Sequence, residues 1–522
     1  MPSTRPTRSR FAATLALLLA FAPQLAAAHD TPLSRDDIAW LQRDGYGVDS
    51  ASIARYRELG RDGLLDAQLH DRLGDNLPAP IATLIDSYEV ARTPATQLAE
   101  SLRQQRELIK AMPDGEAKVA AKKILRRHGE ALADQARETV LLQAIYGANP
   151  LKEQMVWFWL NHFSIYANKG GGRWLAGDYA QHTIRPHALG KFRDLVMATL
   201  QSPAMLQYLD NAQNAKDKVN ENYARELMEL HTLGVGAGYS QHDVQQLALI
   251  LTGVGLARAQ SPATGEGRAM RRRAKQNGAL RDGLFAFNPR RHDFSDKTLL
   301  GHSIRGSGFD EVAQAIDLIT RQPACAQFIS RQLAEYFVAD KPPPALVARM
   351  AQTFQRSDGD IAAVLRTLFE SKELLASHGG KFKDPMQFLV SSMRVTLDGQ
   401  PITNPQPLVA WLNQMGEPLF GRLTPDGWPL DGAAWSSSGQ MTRRFEIARA
   451  IGSGRNRLFA VPEPATVPDE KPPVSVPPLG GPPYELALAP QLSARTRDAL
   501  AQATSKPEWN TFVLSSPEFN YR

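Results

Sequence analysis

The run 150–166, PLKEQMVWFWLNHFSIY, constrains this chain more than any other stretch of it. Met155, Val156, Trp157, Phe158, Trp159, Leu160 and Phe163 are spread around the whole circumference of a helix, so no polar face remains. Such a helix must be buried on all sides, and the rest of the chain has to build a shell around it. Asn149 is placed to cap it, and Pro150 takes the first helical position, where a missing N–H costs nothing.

Elsewhere most segments repeat apolar residues three or four apart, and few alternate as strands do, which predicts an all-α fold. We expect a large multi-helix globular fold around a buried central helix pair, with irregular loops. A signal peptide (1–28) precedes an N-terminal helical region (29–150) and a main helical domain (151–460). A Pro-rich linker (461–489) and a C-terminal helix and tail (490–522) follow. Residues 116–146 read as one long helix charged on one side. Residues 221–233 read as a helix capped by Asn220 and stopped by Gly234. Ser240, box-like with Asp243, opens another that runs to Thr252. Residues 462–483 hold nine prolines, a composition that reads as extended linker.

At the N-terminus Arg5, Arg8 and Arg10 precede an apolar run from Phe11 to Phe21 and the small residues Ala26, Ala27 and Ala28. That is the pattern of a secretory leader cleaved after Ala28. Pro23 and Gln24 interrupt the run before the roughly 20 apolar residues of a spanning helix, so no stable membrane insertion is expected after cleavage. Ser9 separates Arg8 from Arg10, which points to the general secretory route and a periplasmic or extracellular location. Three of the six net positive charges belong to the leader, leaving a balance near +3, which as an overall charge is weak evidence for nucleic acid or anionic membrane binding, and no nucleic acid partner is expected. Cys325 is the single cysteine, so no intramolecular disulfide forms, and any metal would need His, Asp or Glu ligands.

The sequence lacks a G-x-S-x-G elbow, an H-E-x-x-H motif and a phosphate-binding P-loop. Gly234, Gly236 and Gly238 follow a helix, where a dinucleotide fingerprint must follow a strand, and read as a helix stop. The arginines of the loop at Arg268, Arg271, Arg272 and Arg273, with Lys275, read as a solvated surface. Polar residues in core-like helices are the more telling feature. In NENYARELMELHTLG, Tyr223, Ala224, Leu227, Met228, Leu230 and His231 share one arc at 100° per residue. Asn222, Arg225, Glu226 and Glu229 lie opposite, with Arg225 and Glu229 spaced for an ion pair. Glu226 and His231 stand about 140° apart, so this helix alone cannot put both on one metal. His162, beside Asn161 on the buried helix, is the nearest candidate imidazole. Either His162 and His231 are core histidines bonded to backbone, or they belong to a His/Glu site for a divalent metal or acid–base work, or to a ligand pocket without metal. Two loops add Arg185 and His187 beside a turn-fixing proline, and the neighbours His292 and Asp293 with Lys297 four residues on.

The run 220–253, NENYARELMELHTLGVGAGYSQHDVQQLALILTG, with WFWLNHFSI, IRPHALGKFRDL, PAMLQYLDN, HDFSDKTLLG, DPMQFLVSSMR, PDGWP and SSPEF, resembles the bacterial family catalogued as domain of unknown function 1800. The resemblance runs in order from about Met155 to the C-terminus. Its signature falls on Asn161, His162 and Phe163; on Arg185 and His187; on Asn220 to Glu226, Glu229, His231 and Gly234; and on His292, Asp293, Lys297 and Gly301. It implies export and a co-encoded sulfatase-like partner of unknown function. Val254 stands where the resemblance leads one to expect a tryptophan.

The expected site is therefore a buried helix pair approached by the Arg185 and His292 loops. Its catalytic candidates are Asn222, Arg225, Glu226, Glu229 and His231. Asn161, Arg185, His187 and Lys297 are its substrate-binding candidates, and His162, His292 and Asp293 its candidate metal ligands, a divalent metal being one reading of the cofactor. The leading expectation is an exported enzyme. A binding or assembly protein acting with the sulfatase-like partner, and a purely structural polar network, are the alternatives.

Overall fold

Pro150–His162 forms the helix its composition demands, and all 13 of its residues are buried. Asn149 caps it, its side chain accepting from the Lys152 N–H at 3.1 Å. The computed structural model describes residues 33–257, 278–460, 477 and 479–522. The expected leader, the arginine loop around Arg268 and most of the proline run lie outside the described residues.

The fold is all-α in architecture, with its few strands only three residues long. One continuous apolar core takes in Trp40 and Leu65 near the start, Phe158 and Trp159 of the central helix, Phe337, Leu412 and Phe519. The boundary expected at residue 150 does not separate two cores. The Trp40 ring lies 6.0 Å from that of Phe369, and Asp66 pairs with Arg366 at 2.7 Å. A smaller cluster of Leu98, Leu102, Leu132 and Trp174 sits under a hairpin made by the helices Ala95–Ala111 and Glu116–Tyr146. The second of these is the long helix expected at 116–146.

Strands β1 (Val254–Leu256), β2 (Leu280–Asp282) and β3 (Phe285–Phe287) form an antiparallel sheet in the order β1-β3-β2. β4 (Lys297–Leu299) pairs with β5 (His302–Ile304). At three residues each, they are too short for a period of two to show in sequence. They carry the loop that holds His292. Val254 is buried in β1 opposite Phe287.

The helix expected at 221–233 is an α-helical turn at Asn222–Glu226 that widens into a π-helical turn at Leu227–Thr232. Asn220 does meet its start, its Oδ1 accepting from the Asn222 N–H at 3.0 Å. The Leu233 N–H reaches back five residues to Met228 O at 3.0 Å, and the Thr232 hydroxyl donates to Leu227 O at 2.6 Å. Ser240 and Asp243 make the expected capping box, and their helix, Gln241–Ile250, ends two residues earlier than expected.

The end of the expected linker is folded. Leu479 is buried, and Tyr484–Leu488 forms another π-helical turn. The last residues then dock beside the central helix, where Arg522 donates to Gln154 Oε1 at 2.8 Å and to Tyr336 O at 2.6 Å. No helix among the described residues is long and apolar enough to cross a membrane.

Candidate functional site

The C-terminal end of the central helix meets a segment distant in sequence. Asn161 Nδ2 donates to Trp428 O at 2.9 Å, and Asn161 Oδ1 accepts from the Trp428 N–H at 2.6 Å. This reciprocal pair pins the PDGWP turn as a neighbouring strand would. Gly427 has φ of +72°, and a Cβ there would lie 2.4 Å from Asn161 O, so only glycine fits.

His162 stands next to that clamp. Its Nε2 lies 2.9 Å from His231 O, and its Nδ1 lies 2.6 Å from Gln332 Oε1. Burial pushes His162 down to about 4, so at neutral pH the ring carries one proton. A neutral ring carries one N–H, which it donates either to the His231 carbonyl or to the Gln332 amide oxygen. His231 is buried and held far below the usual histidine range by desolvation and by His162. Neither of its ring nitrogens has a hydrogen-bond partner among the described residues. Its ring packs 5.0 Å from Phe163 and 5.9 Å from His162.

The neutral state of His162 has a thermodynamic signature. A histidine depressed to about 4 in the fold binds a proton more readily when unfolded, so stability rises with pH between about 4 and 6.5. Lowering the pH from 7 to 4.5 is expected to remove about 2–3 kcal/mol through this group alone. Urea unfolding at the two pH values measures it. The His162→Gln variant should lose that part of the slope, and an unchanged slope would contradict the assignment.

His162, Asn161 and the π-helical turn open onto a pocket of about 540 Å³. Phe158, Leu233, Phe328, Trp428 and Leu430 supply its apolar lining, and Gln327, Arg331 and Gln332 its polar one. Gly234, with φ of +89°, lies so close to Phe328 that a Cβ would be 2.8 Å from the ring. Helix stop and pocket wall therefore impose glycine together.

Carboxylates gather at the rim. Asp426 is gripped by Arg422 at 2.7 and 3.0 Å, and the guanidinium also lies 5.2 Å from the Trp428 ring. Glu229 lines the pocket, and Arg225 pairs with it at 3.4 Å and with Glu221 at 3.1 Å. Glu226 is half-buried, and desolvation, with Glu229 next in effect, raises its carboxyl above the usual range. Asn222 is exposed and donates through Nδ2 to Leu209 O at 3.1 Å. The two faces expected of this helix are thus observed, with Tyr223, Ala224, Leu227, Met228 and His231 inside.

The other two expected groups are not gathered here. Arg185 is buried in a two-pronged pair with Glu153 at 2.8 and 2.7 Å. It also donates to Asp75 at 3.1 Å and Gln143 at 2.6 Å. His187 bonds Thr183 O at 2.9 Å and lines a different cavity with His182 and Arg193. His292 and Lys297 converge on Glu311, at 2.6 and 2.8 Å, with all three side chains fully buried. His292 Nδ1 lies 2.7 Å from Thr252 O. Asp293 binds the Ser295 N–H at 2.9 Å and its hydroxyl, and Lys297 also donates to Asp293 O.

The expected metal ligands His162, His292 and Asp293 are thereby split between networks. Among the described residues no group of three or more His, Cys, Asp or Glu side chains is placed to hold a metal ion. Arg331, Gln332, Asp426, Trp428 and Glu311 were not foreseen as site residues. The clearest signal for the pocket was Gly427 before Trp428, a turn glycine beside an aromatic. Arg331 and Gln332 lie on a helix, Pro323–Phe337, whose polar positions read as an ordinary solvated face.

The fold and site define a nearly all-helical protein with a polar-floored pocket closed by one aromatic turn. The chain belongs to the family described as Protein of unknown function (DUF1800), whose model matches residues 39–521. No curated protein and no solved structure matches it.

Proposed function

We propose that the protein binds a small, partly apolar molecule carrying an anionic group in the pocket beside Trp428, and that it does so outside the cytoplasm. The observation that carries this reading is Arg331. Its guanidinium stands on the rim of a pocket walled by Phe328, Trp428 and Leu430, and it makes no hydrogen bond or ion pair among the described residues. Asp426 and Glu229 already have Arg422 and Arg225 as partners. Arg331 lowers the Glu335 carboxyl electrostatically, the last of the influences on that group and without a hydrogen bond between them. Arg331 is thus the cation of this lining that has no hydrogen-bond or ion-pair partner among the described residues. A ligand carboxylate would meet Arg331 while its apolar body replaced water against the aromatic wall. The arginines ahead of the apolar run 11–21 support the location.

A panel of small carboxylates with aromatic or branched aliphatic bodies, read by thermal shift and calorimetry, tests the proposal. Arg331→Gln is expected to weaken the best binder about 10- to 100-fold, the worth of one charge-assisted bond. The exposed position predicts an unchanged melting temperature for the free variant. Equal affinity in the variant, or no binder in the panel, would overturn the reading.

A second reading, catalysis, is favoured by Glu226. Desolvation first, and then the neighbouring Glu229, hold its half-buried carboxyl above the usual range, the direction a general acid needs.

A further inference from the structure

The net charge of the chain hides a local asymmetry. In residues 103–127, the end of the hairpin formed by Ala95–Ala111 and Glu116–Tyr146, eight Lys and Arg face three acidic residues. The hairpin encloses a groove of about 500 Å³. Its floor is apolar, made by Leu102, Ile109, Leu125 and Trp174. Gly129 lets Trp174 lie there, since a Cβ at that position would be 2.9 Å from the indole nitrogen.

Cations ring this floor. Arg106 donates to Gly170 O at 3.2 Å, Lys118 pairs with Asp114 at 2.9 Å, and Arg126 stands 3.6 Å from Glu130. Lys110 and Lys122 line the same groove and make no hydrogen bond or ion pair among the described residues. Leu108, Val119 and Ile124, on the same hairpin, are 66–70% exposed, among the most exposed large hydrophobics of the described residues. A monomer that met only water would have little reason to combine bare aliphatics with unpaired lysines at one end of a hairpin. The same combination is what an interfacial element presents to a bilayer, with apolar groups below the headgroups and Lys and Arg at their level.

We propose that this hairpin docks on a membrane surface by taking one anionic phospholipid, its phosphate between Lys110 and Lys122 and its acyl chain over Leu102, Ile109 and Leu125. Charge complementarity selects the lipid, and the apolar floor separates it from a free anion, which would leave Leu102, Ile109 and Leu125 uncovered. The site lies apart from the Trp428 pocket and does not depend on what that pocket binds.

Co-sedimentation of the leader-free protein with vesicles tests this. Vesicles of phosphatidylglycerol in phosphatidylcholine are expected to carry the protein down, and vesicles of phosphatidylcholine alone are not. Added salt should release it. The Lys110→Gln, Lys122→Gln double variant should weaken binding about thirtyfold. Lys123→Gln with Arg127→Gln removes the same charge from the hairpin outside the groove, and should weaken it severalfold less. Equal binding to both vesicle types, or equal loss in both double variants, would overturn the proposal. So would inorganic phosphate binding through Lys110 and Lys122 in a protein that ignores the vesicles. Circular dichroism of both variants checks that the fold is retained.

Discussion

Truncating Glu311 to alanine is expected to destabilise the protein by about 3–5 kcal/mol, seen as a fall in the urea midpoint. Glu311 is fully buried, accepts from His292 Nε2 at 2.6 Å and from the Gly308 N–H at 3.0 Å, and forms an ion pair with Lys297 Nζ at 2.8 Å. Without it, a fully buried ammonium keeps only Asp293 as a nearby carboxylate, at 3.6 Å. The large term is the stranded charge rather than the lost attraction. Lys297→Met combined with Glu311→Leu should therefore recover most of the loss, because it removes both charges and keeps the volume. If Lys297 instead serves a ligand, Lys297→Met alone would abolish binding while leaving the urea midpoint in place. That outcome would refute the structural assignment of the network.

Arg185→Met is expected to be comparably damaging, about 3–5 kcal/mol, for the mirror-image reason. It strands the Glu153 carboxylate, whose side chain is 4% exposed, opposite an apolar side chain. Arg185→Lys should recover less than half. One ammonium cannot reproduce a planar fork that meets both Glu153 oxygens and still reaches Asp75 and Gln143. The double variant Arg185→Met, Glu153→Leu should restore stability. An Arg185→Lys protein as stable as the wild type would show that the fork geometry contributes nothing.

Both predictions bear on residues that the sequence offered as substrate or metal groups. Arg185, His292 and Lys297 look alike in sequence to groups that reach a ligand, because a polar side chain in a core-like segment carries no mark of what it will face. The structure gives each a protein partner, Glu153 or Glu311, that lies 32, 19 and 14 residues away in the chain. Glu311 itself had no distinguishing mark, since it occupies the third position of a helix whose start calls for an acidic residue anyway. Glu229, Asn161 and His162 do reach one pocket, and the two faces of the helix that carries Glu229 were legible from the 100° arc.

What the sequence determined by itself is local and periodic. The unbroken apolar circumference of 150–162 demanded a central buried helix, Asn149 and Pro150 placed its start, Ser240 and Asp243 placed another, and spacing identified the long helix at 116–146. Each of these follows from interactions within about a turn of helix, which residue spacing encodes directly. Only the tertiary structure decided that Trp428 closes the pocket over Asn161, that His162 sets Nε2 against the carbonyl of His231, and that the 227–232 turn widens. It alone decided that the cations of 103–127 flank an apolar groove. Those outcomes depend on which distant surfaces meet. Burial then fixes the charge and the free hydrogen-bonding capacity of each group, and so separates residues that hold the fold from those left open to a ligand.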